Sequence, residues 1–181
     1  MAPTKWYQVI VLLYLRGFTG AFGDDIVILP LRSYACEGSD PDYDYFIDVR
    51  NINDDGVKVL DVDVTLEDDL SEKWTFILNI DKWNNGDWEE HFYDTEGSIC
   101  QIINQYVSRA WEKFRKGIVP EIPDVCHAPA DTYKLTSFNV SQTDYDIPVG
   151  ILGTYKVTGR ILNEMGSELI CQVIEVETRK T

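Results

Sequence analysis

Long apolar runs, histidines and basic residues are all scarce in this chain of 181 residues. The longest apolar stretch, Trp6 to Leu15, has ten residues and is interrupted at Gln8. A helix needs about 20 apolar residues to cross a bilayer, so no transmembrane segment is expected. The two histidines, His91 and His127, stand in dissimilar surroundings, and neither belongs to a nucleophile elbow or an HExxH zinc motif. No two of the four cysteines have the C-x-x-C spacing that brings two thiolates to one metal ion. Lys and Arg number 16 against 31 Asp and Glu, for a net charge of −15. Such a chain is repelled by nucleic acid and by anionic membranes, which carry the same sign. With acids this numerous, pairs such as Asp61/Asp63 read as solvation rather than as acid–base couples. Asp42, Asp44 and Asp48, with Asn53, Asp54 and Asp55, offer oxygen ligands but lack the ordered spacing of an EF-hand loop. No catalytic residue, metal site or cofactor is assigned, and the chain reads as a non-enzyme.

What is present begins with a signal peptide, expected over residues 1–23. Lys5 gives the positive start, Trp6 to Leu15 the apolar centre, and GFTGAFG the small residues for cleavage after Ala21 or Gly23. Arg16 ends the apolar run too early for an anchor. The remaining residues, 24–181, make one domain of ordinary size with no linker, repeat or low-complexity tract. They carry 14 basic and 31 acidic residues, a net charge of −17, on what reads as the solvated surface of a folded protein. In a secreted chain an even number of cysteines implies disulfides, here two, and the residues alone leave all three pairings open. Asn139-Val-Ser141 is an N-glycosylation acceptor, consistent with an extracellular location.

Most of the mature chain alternates. In VKVLDVDVTLEDDL, Leu60, Val62, Val64 and Leu66 face one way and Asp61, Asp63, Thr65 and Glu67 the other, the pattern of a strand covering a core on one side. Trp74, Phe76, Leu78 and Ile80 repeat it with larger side chains. KWNNGDW then reads as a turn with a tryptophan on each side. From Ser98 the period changes: Ile99, Ile103, Tyr106, Val107, Ala110, Trp111 and Phe114 predict one amphipathic helix of about 18 residues, capped by Ser98 and closed by Gly117. Further strands follow Pro129. In the last, Ile170, Gln172, Ile174 and Val176 share one face, with Leu169, Cys171, Val173 and Glu175 on the other. The expected fold is mainly β: an antiparallel cup or sandwich of about seven strands, with one helix inserted in its C-terminal half.

Trp74 and Phe76 read as core, whereas Trp83 and Trp88 flank a polar turn, where amphipathic aromatics serve a ligand mouth or an interface. With Phe92 and Tyr155 they are the candidates for lining a ligand site or its mouth.

The runs GSICQIINQYVSRAWEKF, DVCHAPADTYKLTSFNV, IPVGILGTYKVTGRIL and LICQVIEVE resemble the ganglioside-activator-like lipid-binding family, and within it the insect chemosensory CheB-type proteins. The shared marks are Cys100 opening a helix, a cysteine–proline turn before a Thr-Tyr strand, the glycine–tyrosine strand with Gly153, Tyr155 and Gly159, and Cys171 in the final strand. This chain departs in placing His127 and Ala128 between Cys126 and Pro129, and in lacking further cysteines near the helix. The resemblance implies a β-cup that takes acyl chains, with Cys36 bonded to Cys171 and Cys100 to Cys126. It also implies a hydrophobic small molecule or lipid as ligand and a role in pheromone or taste perception, by carrying the ligand rather than transforming it. The alternatives are an extracellular modulator of a membrane receptor or channel, and a protein presenting lipids to a hydrolase.

Overall fold

The computed structural model describes residues 26–39, 43–51, 58–139 and 152–180. The expected signal peptide, Asp42, the Asn53–Asp55 cluster and the remainder of the glycosylation triplet after Asn139 lie outside them.

Among the described residues, eight antiparallel strands form two sheets. They are β1 (Ile26–Ala35), β2 (Tyr45–Asn51), β3 (Lys58–Thr65), β4 (Thr75–Asn84), β5 (Asp87–Ser98), β6 (Thr132–Phe138), β7 (Gly153–Leu162) and β8 (Glu168–Lys180), with helices α1 (Ile99–Tyr106) and α2 (Ser108–Gly117) between β5 and β6. One sheet runs β1-β8-β7-β4-β5 and the other β2-β3-β6. From Leu60 to Thr65 the alternation of β3 is realised. Leu60, Val62 and Val64 turn toward the opposite sheet, while on the other face Asp61 pairs with Arg50 and Asp63 with Lys134 at 2.7 Å. Lys134 stands directly across from Asp63 and Arg50 diagonally from Asp61, and opposite charges so placed support the pairing on its wet side.

The turn after Trp83 is a two-residue hairpin loop. Asn85 and Gly86 both have positive φ (51° and 96°), as the twist of adjoining strands demands, and Trp83 pairs with Trp88. The strand that follows, β5, escaped the sequence reading. A register shift between Ile80 and Lys82, with His91 at φ 58°, breaks its alternation, so DWEEHFYDTEGS shows no clean period.

The expected single helix is two. Ser98 caps α1 as anticipated, its Oγ accepting from the Gln101 N–H at 3.2 Å. Val107, at φ −137° and ψ 22°, then interrupts the coil. The break gives each half a separate neighbour: α1 lies against β4 and β5, and α2 against β6. Gly117 does not close the helix in the left-handed region. It is the last residue of α2, where a Cβ would come within 3.3 Å of Leu135 Cδ1, so its bareness lets the helix approach β6.

The sheets are fastened along the β1/β2 edge. The Ser33 hydroxyl donates to the Ile47 carbonyl (3.0 Å), the Tyr45 hydroxyl to the Cys171 carbonyl (2.5 Å), and Lys58 Nζ to the Leu31 carbonyl (2.7 Å). Cys36 is bonded to Cys171, and Cys100 to Cys126, with Cα–Cα distances of 5.5 and 5.3 Å. This is the pairing that the family resemblance implies. The first bond ties the end of β1 to β8, and the second ties α1 to the loop before β6.

Candidate functional site

A cavity of about 330 Å³ lies between the two sheets. The five-stranded sheet contributes three rows of its inner face. Phe76, Ile161 and Ile170 stand side by side, then Leu78, Gly159 and Gln172, then Val157 and Ile174 beside Ile80. The facing sheet supplies Ile47, Leu60, Val62, Val64 and Tyr133, and the helices supply Ile99, Trp111 and Phe114. Loop residues Leu66, Leu70, Trp74, Ile118, Ile122 and Ala128 seal one end, and all six are buried. Along the wall, Ile47, Leu60, Trp111, Phe114, Val157 and Ile174 are half-buried. The facing side chains of the two sheets thus leave a cup and not a filled core.

The lining is apolar almost throughout. Two of its aromatic polar groups are turned to protein partners: Trp111 Nε1 donates to the Val125 carbonyl (2.7 Å) and the Tyr133 hydroxyl to the Pro129 carbonyl (2.8 Å). Gly159 has a specific part here. A Cβ at this position would come within 3.2 Å of Phe76 Cζ, so the bare strand lets that ring lie across the middle row. Gln172 is the polar exception, at 8% exposure.

The aromatic candidates separate into three groups. Trp74 and Phe76 line the cavity, with the Trp74 ring edge-on to Tyr43 at 6.0 Å. Tyr155 falls one row beyond it, paired with Lys82 and Val176. There the Tyr155 and Phe92 rings meet at a tilt, with centroids 5.9 Å apart, in a second cluster with Leu78 and Ile80. The Tyr155 ring is fully buried, and burial pushes its phenol pKa up. Trp83 and Trp88 are outside the wall altogether. They meet edge-on at 5.1 Å on the hairpin, where Lys156 sits over the Trp88 ring and pairs with Asp81 at 2.8 Å. Lys156 is the alternate neighbour of Tyr155, so this contact is on the sheet's outer face. Asn139 is exposed, just after β6. The sequence reading did not name Gln172, Trp111 or Phe114 as site residues. A polar side chain in phase with Ile170 and Ile174 was the available signal for the first.

The outer face of β8 carries charge instead. Glu175 is buried, accepting from Arg32 Nη2 (2.7 Å) and from the Tyr34 hydroxyl (3.0 Å). The Arg32 hydrogen bond, aided by Tyr34, holds its carboxyl below the usual carboxylate range. A depressed folded pKa adds stability above the unfolded value of about 4.3, lost as pH falls through the folded pKa. Glu175→Gln is therefore expected to be less stable than the native protein at pH 7, with the gap closing in strong acid. Urea midpoints at pH 7 and pH 3 measure it; a gap of constant size would mean that shape and not charge is responsible. Among the described residues, no three His, Cys, Asp or Glu side chains converge as a metal site.

Two layers around an apolar cavity define a β-cup domain. No protein-family profile and no curated protein matches the chain. Among solved structures it is similar to chicken MD-1 complexed with lipid IVa, at 15% identity and a TM-score of 0.35, over 87% of this chain and 93% of that one. A likeness at that distance carries nothing about function to this chain.

Proposed function

We propose that this protein is a secreted, non-enzymatic carrier that encloses a small hydrophobic or lipid-like molecule between its sheets. The observation that supports the reading is the cavity. Its volume, about 330 Å³, falls in the range of ligand sites, about 300–1,000 Å³. Apolar cavities of about 150 Å³ already stay dry and accept small hydrocarbons. At about 24 cal/mol per Å³, leaving 330 Å³ unfilled by side chains costs on the order of 8 kcal/mol. That rivals the whole net stability of a domain, about 5–15 kcal/mol. A sequence shaped only by folding would place larger residues at Val62 or Val157. Each methylene moved from water into such a space contributes about 0.8 kcal/mol, so a chain of modest length repays the omission.

Two disulfides suit the oxidising compartments outside the cytosol, in keeping with secretion. The finer reading, a part in pheromone or taste detection, draws on the family resemblance. A receptor modulator of this fold with no ligand of its own would have its core filled by its own side chains, and the cavity counts against that form of the alternative. The test is native purification followed by organic extraction and mass spectrometry, with titration of fatty-acyl and long-chain hydrocarbon probes. A hydrophobic molecule in stoichiometric amount, or saturable probe binding, is expected. Neither appearing would end the proposal.

A further inference from the structure

Gln172 is more than nine-tenths buried, and it is the polar side chain in the middle row of an otherwise apolar wall. Its amide orientation follows from its neighbours. The Ser33 hydroxyl has one proton, and it goes to the Ile47 carbonyl, which can only accept. Ser33 Oγ must therefore accept from its other partner, so the group facing it at 2.6 Å is the Gln172 amino group, Nε2. That leaves Oε1 turned away from Ser33. It has no hydrogen-bond partner among the described residues. No fully enclosed side-chain oxygen or nitrogen lacks a partner there, so Oε1 touches open space, and the space beside Gln172 is the cavity.

Resting on the carrier reading above, we propose that Gln172 is a specificity-determining residue, which selects apolar ligands bearing a hydroxyl that reaches the middle of the cavity. The wall offers one fixed acceptor in a dry surrounding. An alcohol O–H satisfies it. An ether or ester can only accept, and leaves two oxygens facing each other without a proton. A carboxylate is worse, because it brings a charge that nothing in this wall compensates, so an ionised acid would have to keep its head outside. Ser33 and Ile47 act as positioning groups: they hold the amide so that its oxygen, not its amino group, meets the ligand.

The test compares dodecan-1-ol with its methyl ether by displacement of a fluorescent acyl probe from the full protein. The native protein is expected to bind the alcohol about tenfold tighter than the ether, the difference one buried hydrogen bond makes. In Gln172→Leu the preference should vanish while the ether binds no worse. In Ser33→Ala the freed amide can turn its amino group inward, and the preference should shrink to within about twofold. Thermal melts of both variants, with saturable probe binding, establish that each remains folded. Equal binding of both compounds by the native protein, or a preference that survives Gln172→Leu, overturns the inference and leaves the carrier reading intact. Failure of every probe to bind overturns both.

Discussion

Replacing Cys36 and Cys171 with serine is expected to lower the stability by about 4–5 kcal/mol, most of what holds a domain of this size together. The bond joins residues 135 apart, so cutting it frees nearly the whole described chain in the unfolded state. Loop-closure entropy grows with the logarithm of that separation, and the shorter ring is the natural control. Cys100 and Cys126 are 26 residues apart, and removing that bond should cost about 3–4 kcal/mol in the same account. The native side adds to the difference: Cys171 is wholly buried and its backbone bonds the Tyr45 hydroxyl, whereas Cys126 sits on a partly exposed loop. Urea denaturation of the two double variants measures both. If the Cys100/Cys126 variant were the less stable, the entropic ordering would be wrong here.

Filling the cup should abolish binding while sparing the fold. Val62 points from β3 into the centre of the cavity, and Val62→Trp puts an indole where the ligand would lie. If the ring displaces four methylenes of an acyl chain, about 3 kcal/mol of transfer free energy is lost, and affinity falls roughly 200-fold. Because the ring enters a space the native side chains leave open, the overpacking cost of a crowded core is largely avoided. Trp83→Ala, on the hairpin outside the wall, should leave affinity within about twofold. Fluorescent acyl-probe titrations, with far-ultraviolet circular dichroism as the check on folding, decide it. Undiminished affinity in a folded Val62→Trp protein would place the ligand somewhere other than between the sheets.

How far the sequence could be read depended on which interactions were local. Alternation at Leu60–Leu66 and Trp74–Ile80 named both inner faces, because a strand with one dry side writes its burial into every second residue. Asn85-Gly86 announced its hairpin through the positive φ values that few other pairs tolerate. The interruption at Val107 had no such mark. Its apolar spacing continues smoothly from Ile103 to Ala110, and what bends the helix is the separate placement of β5 and β6, a tertiary fact. The same holds for Phe92 and Tyr155. Both are aromatic residues of the inner layer, but whether a row borders the cavity or lies beyond it depends on cross-strand register, and Tyr155 misses by one row. An open cup and a filled one share a single alternation pattern, so the cavity itself became visible only with the opposing sheet in place.

The neighbouring positions of β1 and β8 bear on how the protein is made. Ile26 pairs with Lys180, so β1 must wait for β8, and the five-stranded sheet cannot close until that strand has been made. Of these four cysteines Cys36 emerges first during synthesis and its partner last. Cys100 and Cys126 come out between them, and can join each other within a short segment while β1 still waits. A cell producing this chain must therefore keep Cys36 from reacting with either of them for the interval it takes to add the remaining residues. Oxidative folding catalysts should matter more to the yield of this protein than its modest number of cysteines suggests.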